Sequence, residues 1–197
     1  QNYHLVVVKS TVPPGTTEDL VIKTVEAFSG KKAGRDFGVC MNPEYLREET
    51  AFKDALKPWF ILIGEYDKKS GDMLANLYAG FNCPILRCTL KEAEMQKYIH
   101  NLFNAVKITF FNQVREIAKQ TNVDADKIFK VTALSAEGMW NPEYGIRDMG
   151  PFDGSCLPKD TQAFYEWTKI NGLDFSLLGE AISINNGLLR KLGFKNQ

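Results

Sequence analysis

The sequence predicts an α/β layer with a mostly parallel sheet, followed by an all-helical part. Two observations carry this reading. Up to residue 88, short apolar runs alternate with helical patterns, as strands and crossover helices do in a parallel sheet. Beyond Thr89 no glycine or proline occurs until Gly138, and apolar residues recur at helical spacing.

The elements follow in order. Residues 4–9, His4-Leu-Val-Val-Val-Lys9, form an apolar run like a strand buried on both faces. Ser10-Thr-Val-Pro-Pro-Gly-Thr16 forces a turn. Residues 17–28 read as a helix with Leu20, Val21, Thr24 and Val25 along one side. Residues 37–41, 60–64 and 84–88 read as further strands, and 68–81 as a helix. Thr89-Leu-Lys-Glu92 is a capping box. It starts a helix from about 90 to 121 that carries Met95, Tyr98, Leu102, Val106 and Phe110. A break at Thr121-Asn122 precedes a helix over 124–134. Residues 136–158 hold four glycines and three prolines and read as a long loop, which in a compact domain is usually functional or disordered. Helices over 160–170 and 176–192 follow. The pattern divides the chain into residues 1–88 and 89–197.

Composition excludes several classes. Lysine plus arginine equals aspartate plus glutamate at 24 each, so the basic excess that nucleic acid or an anionic membrane surface would demand is missing. No apolar run approaches the roughly 20 residues that span a bilayer. The start, Gln1-Asn2-Tyr3-His4, lacks a secretory pattern. Four cysteines without a C-x-x-C pair, and two histidines, argue against a metal site. Reduced thiols in a cytoplasmic protein are expected. The chain opens almost directly on a strand and closes in a helix, so a piece of a longer protein is expected.

Four segments look like sites. Cys156 lies in Gly154-Ser-Cys-Leu-Pro-Lys-Asp160, at the end of the glycine- and proline-rich loop. Asp160 reads as the N-cap of the next helix. A thiol just ahead of a helix N-terminus, with Lys159 nearby, is placed where an anionic sulfur is favoured. Gly154 would let a substrate approach the backbone. A buried structural cysteine is the bland alternative; the loop context favours a nucleophile. Lys97, Asn101 and Asn104 share one face of the long helix by spacing. They suit an oxyanion or ligand, although a solvated polar stripe is the commoner meaning of such a pattern. Asn42-Pro-Glu-Tyr-Leu-Arg-Glu-Glu49 follows a strand, where α/β sheets place ligands. Within it Glu44 and Glu48 form either a base and its orienter or a charged helix start. The Ser10–Thr16 segment offers hydroxyls for phosphate or water, or is simply a capped turn.

Together these segments resemble the UDP-glucose/GDP-mannose (nucleotide-sugar) 6-dehydrogenase family over nearly the whole chain. Ser10–Thr16 matches the family's S-T-V-x-P-G-T, and Asn42–Glu48 matches N-P-E-[FY]-L-x-E. Ala93-Glu-Met-Gln-Lys97 with Asn101 matches A-E-x-x-K-x-x-x-N, and Gly154–Asp160 matches G-G-x-C-[LF]-P-K-D from its second glycine. The resemblance implies the last strands of an NAD-binding Rossmann-type domain, then a central helical dimerisation domain. The G-x-G-x-x-G turn and a nucleotide-binding domain would lie outside these residues, and the isolated chain is expected to be inactive.

The resemblance also implies the chemistry, a two-step oxidation of the sugar C6 alcohol to a carboxylate with NAD. Cys156 would attack the intermediate aldehyde, giving a thiohemiacetal and then a thioester. Lys97 and Asn101 would stabilise the oxyanion. Asp160 and Thr11 would hold the hydrolytic water, with Glu44 as base and Glu48 in support. Ser10, Thr11, Glu48 and Lys159 would serve the cofactor. Tyr45, Leu46, Arg47, Lys97, Asn101 and Gly154 would serve the sugar nucleotide. UDP-glucose is favoured over GDP-mannose, and a homodimer through the central helices is implied.

The chain departs from the family pattern in four places. Asp153 replaces the first glycine of G-G, Glu49 a glycine, and Gln113 a glutamate, while Lys57-Pro-Trp-Phe60 replaces P-[DE]-R. Asp153 is expected to crowd the loop or repel a phosphate. Two other classes remain open. One is a non-catalytic helical dimerisation module. The other is a cysteine hydrolase, which would want a histidine by the thiol, yet His100 is expected on the face of the helix away from Lys97.

Overall fold

The computed structural model describes residues 3–146 and 150–193. Arg147, Asp148 and Met149 of the predicted loop lie outside the described residues. Contacts divide the chain into two compact units, Gln1–Asn104 and Ala105–Gln197.

The first unit is built on a four-stranded sheet in the order β1 (His4–Val8), β2 (Phe37–Met41), β3 (Ile61–Glu65), β4 (Ile85–Thr89). The β1–β2 and β3–β4 pairs are parallel, and β2–β3 is antiparallel. The two-residue side-chain period sorts the core into two layers. Val39, Met41 and Leu62 pack with Ile22, Leu90 and Ala93, whereas Cys40, Ile61 and Ile63 pack with Leu74. β2 is buried throughout. β1 is only partly buried, against expectation, because it forms one edge of this sheet.

The predicted helix over 17–28 begins as a wide π-type turn, Thr17–Ile22, and continues as α1 (Lys23–Ser29). Of the alternatives left open for Glu44 and Glu48, a charged helix start is seen at Glu48 and not at Glu44. Residues 42–47 are extended or irregular, and a short turn at Glu48–Thr50 leads into α2 (Ala51–Leu56). Pro43 explains this, since its ring disfavours helix at the preceding Asn42. α3 (Lys68–Leu77) is capped by Asp67, whose side chain accepts from Ser70 N at 2.7 Å.

The capping box forms as predicted. Thr89 N donates to Glu92 Oε2 at 2.7 Å, and Glu92 N donates to Thr89 Oγ1 at 3.3 Å. It opens α4 (Leu90–Gln120), whose start lies hard against the sheet. A Cβ on Gly64 would come within 2.6 Å of Ala93 Cβ, so the close approach requires glycine. α4 ends where Asn122 adopts a left-handed φ of 57°, a conformation asparagine tolerates.

The second unit contains the end of α4, α5 (Ala125–Ser135), α6 (Glu137–Trp140), α7 (Leu157–Ile170) and α8 (Ser176–Lys191). Phe110, Phe111, Phe129, Phe164 and Phe175 form a chain of ring contacts with centroids 4.9–6.1 Å apart. Gln113, one of the departures, caps α8. Its amide donates to Ser176 Oγ at 2.9 Å and accepts from Leu177 N at 3.2 Å.

Candidate active site

In the first unit two motifs meet at Glu44, the N-P-E segment and the helix that carries Lys97. The N-P-E-Y-L-R segment leaves the carboxyl end of β2, and Asn42 N bonds back to Val8 O at 2.9 Å. Asn42 is buried and its amide donates to Leu62 O at 2.7 Å. Lys97 is buried, against the solvated-stripe alternative. Its amine donates to Glu44 O, lies 3.6 Å from Glu44 Oε1, and stands 4.9 Å from the Tyr45 ring centroid. Asn101 and Asn104, from the same predicted face, are exposed.

Tyr45 donates to Gln96 Oε1 and packs against Phe60 with ring centroids 4.6 Å apart. Burial pushes its phenol well above the ordinary value. The expectation for His100 is corrected: its ring meets Tyr45 edge-on at 5.2 Å, on the same Tyr45 that Lys97 faces. Three residues along a helix are neighbours, not opposites. Burial first, and then the Lys97 charge, lower the imidazole's pKa.

Arg47 is tied to Asp54 through Nε at 3.0 Å and Nη2 at 2.7 Å, and its guanidinium lies 5.4 Å from the Trp59 ring. Hydrogen bonding from Arg47 holds the Asp54 carboxyl far below the usual carboxylate range. Leu46 and Glu48 are exposed, and Leu46 N donates to Glu44 Oε2 at 2.6 Å.

Glu94 carries weight that the sequence reading missed. It is fully buried on α4, and its carboxylate accepts from Gly15 N and, at 2.7 Å, from Thr17 N. The acid of A-E-x-x-K therefore ties the Ser10–Thr16 segment to the helix that carries Lys97. Ser10 and Thr11 stay exposed at the carboxyl end of β1. Ligands of open α/β sheets bind at such ends.

In the second unit Cys156 is exposed, unlike Cys40, which is buried. The helix begins earlier than predicted, so the expected Asp160 cap is corrected. Cys156 itself is the residue before α7, with Pro158 in the first turn, and its carbonyl accepts from Asp160 N at 2.9 Å. Proline is readily accommodated there because its missing N–H would be unpaired anyway. Cys156 Sγ lies 3.7 Å from Ser155 Oγ. Lys159 pairs with Asp160 at 3.2 Å, and both are largely exposed.

Gly154 has φ +87° and open space where a Cβ would be. Asp153 is not among the described residues with positive φ. The glycine that the backbone requires is therefore kept, and the one that is replaced sits in ordinary conformation, so crowding of the loop backbone is not seen. Asn185 on α8 fixes the loop upstream. It accepts from Phe152 N at 2.8 Å and donates to Phe152 O at 2.9 Å. Asn185 is buried, and its helical spacing of three and four from Leu188 and Ala181 marks it only as a polar residue on an apolar stripe, without naming its partner.

Comparison with known proteins gives the family. Residues 1–82 match the NAD-binding domain of the UDP-glucose/GDP-mannose dehydrogenase family, and residues 91–187 match its central domain. The chain belongs to the UDP-glucose/GDP-mannose dehydrogenase family. It is 43% identical over 188 residues to a GDP-mannose 6-dehydrogenase of Azotobacter vinelandii, covering 95% of this chain and 43% of that protein. A crystal structure of a ternary complex of GDP-mannose dehydrogenase from Pseudomonas aeruginosa superposes with a TM-score of 0.91 at 42% identity, covering 96% of this chain and 43% of that one. A UDP-glucose dehydrogenase from Pyrobaculum islandicum gives 0.64 at 38% identity, covering 97% and 45%. The chain thus spans less than half the length of these relatives. NAD is the family's cofactor. Among the described residues no helix is long and apolar enough to cross a membrane.

Proposed function

We propose that the chain is part of an NAD-dependent nucleotide-sugar 6-dehydrogenase, with Cys156 as nucleophile and GDP-mannose as substrate. The observation that carries the reading is an exposed thiol at the start of α7, beside an open glycine, within a motif the family shares. The preference for GDP-mannose over the expected UDP-glucose rests on the higher similarity to proteins named for GDP-mannose.

In this reading residues 1–88 form the end of the cofactor domain and 89–197 the central domain. Cys156 Sγ adds to the C6 aldehyde carbon of the half-oxidised sugar, and Lys97 and Asn101 donate to the oxyanion that forms. Loss of hydride leaves a thioester. A water held by Asp160 and Thr11 adds to it, gives its proton to Glu44, and the C–S bond breaks to release the acid. Glu48 supports Glu44. NAD+, when bound, supplies the hydride acceptor for both oxidations, and Ser10, Thr11, Glu48 and Lys159 hold it. Tyr45, Leu46, Arg47 and Gly154 line the sugar nucleotide's path. Exposed Met95, Ile99, Leu102 and Val106, spaced three or four apart on α4, suit a homodimer. A cytoplasmic setting suits four free thiols.

The test is NADH formation by the full-length gene product containing this chain, with GDP-mannose and UDP-glucose in parallel. GDP-mannose turnover that disappears in Cys156→Ser supports the proposal. Turnover of UDP-glucose alone reverses the substrate assignment, and turnover that survives Cys156→Ser removes the nucleophile.

A further inference from the structure

Three side chains of α4 hold the Tyr45 ring at three places. Gln96 accepts from its hydroxyl, the Lys97 amine stands over the ring 4.9 Å from its centroid, and the His100 ring meets it edge-on at 5.2 Å. Residues three and four apart are neighbours on a helix, so the grip comes from one turn of α4. Lys97 and Asn101 are fixed positions of A-E-x-x-K-x-x-x-N, but 96 and 100 are open ones, and N-P-E-[FY]-L-x-E admits phenylalanine at 45. The hydroxyl of Tyr45 and the amide of Gln96 are therefore a pair that the motifs do not demand.

The pair has a consequence for Lys97. Burial pushes the Tyr45 phenol above its ordinary value, so the hydroxyl stays protonated and acts as a donor. A donor withdrawn from water without a partner is costly. Gln96 Oε1 meets that need while the ring stays over Phe60 and under Lys97. The ring face attracts the ammonium, and Glu44 O accepts from the same amine. Lys97 is buried, and the ring and that carbonyl together set where its amine points.

We propose that Gln96 is a positioning residue for Lys97: by holding the Tyr45 hydroxyl it keeps the ring beneath the Lys97 amine and the amine directed at Glu44. Gln96 acts through Tyr45 and touches no reacting atom. Its bearing on turnover rests on the oxyanion role proposed for Lys97, whereas its hold on the amine does not.

The test uses the full-length gene product and reads Lys97 itself as well as turnover. Reductive methylation of Lys97, followed by peptide mass spectrometry, reports how readily the amine leaves its place, with the exposed Lys91 as reference. Gln96→Met keeps the length of the side chain and removes the acceptor. Methylation of Lys97 should then rise about fivefold to tenfold, the scale of one hydrogen bond, with Lys91 unchanged. Adding Tyr45→Phe removes donor and acceptor together, which is nearly neutral when shape is kept, so methylation should return to within about twofold of the parent. A merely structural role for Gln96 would leave the double variant at least as disturbed as the single one. In NADH formation, Gln96→Met should lower kcat about fivefold to tenfold, with KM for sugar nucleotide and NAD+ within about twofold of the parent. Unchanged Lys97 methylation in Gln96→Met overturns the proposal, and so does a double variant that reacts as fast as the single one. Faster methylation with unchanged kcat supports the hold of Gln96 on Lys97 and removes the oxyanion role from Lys97, so the two readings fail separately.

Discussion

Replacing Glu94 tests whether a single buried carboxylate holds the Ser10–Thr16 segment on α4. The carboxylate is fully buried and accepts two backbone N–H groups, from Gly15 and Thr17. Hydrogen bonds to a charged group contribute roughly 1.5–3 kcal/mol each, so the pair contributes about 3–6 kcal/mol. Glu94→Gln keeps one acceptor and turns an NH2 group towards the other N–H, which forfeits one bond and buries two facing donors. A loss of about 2–4 kcal/mol is expected. The neighbouring Lys91–Glu18 ion pair, at 3.0 Å but exposed, is the control, and Lys91→Ala should cost less than about 1 kcal/mol. Urea unfolding followed by circular dichroism gives both values, and hydrogen exchange at the Gly15 and Thr17 amides locates the effect. A Glu94→Gln variant within about 0.5 kcal/mol of the parent, with those amides equally protected, would refute the reasoning.

Three further outcomes are expected. Under native conditions at pH 8, iodoacetamide should label Cys156 first, because Cys40 and Cys88 are pushed up by burial to about 12 and about 11 and a protonated thiol is a poor nucleophile; equal rates by peptide mass spectrometry would contradict the exposed placement of Cys156. Gly154→Ala should destabilise by about 1–2 kcal/mol, since φ is +87° but nothing obstructs a Cβ, whereas Asp153→Gly should make the loop no more stable; thermal melts decide both. Asp54 has a folded pKa depressed by Arg47, so its contribution is complete above the unfolded value of about 3.9 and is lost as pH falls below it. The acid limb of the pH–stability curve should flatten in Asp54→Asn, and an unchanged limb would remove Asp54 from the acid response.

The alternation of strand and helix, the capping box and the break at Asn122 could all be read from residue pattern, because each rests on local chemistry. The failures had a different origin. β1 looks buried on both faces because its apolar run does not reveal which strand takes the sheet edge. Asp160 looks like an N-cap because aspartate favours that position, yet the helix already begins at Leu157, with Pro158 accommodated in its first turn. Lys97 was legible through its motif, but its burial was not, since a lysine in an amphipathic helix is usually solvated. Glu94 and Asn185 went unread because their partners are backbone groups 77 and 33 residues away, and no spacing rule reaches that far.

The bond pair between Asn185 and Phe152 also limits what chain chemistry can stand at that position. A primary amide presents one acceptor and one donor in a plane, as a peptide unit does, so Asn185 acts as a one-residue stand-in for an adjoining strand. Aspartate offers only acceptors, leucine neither, and glutamine sets the same group one carbon too far out. The loop that delivers Cys156 therefore depends on a site where a single side chain of the twenty has both the groups and the reach, although that side chain touches no reacting atom.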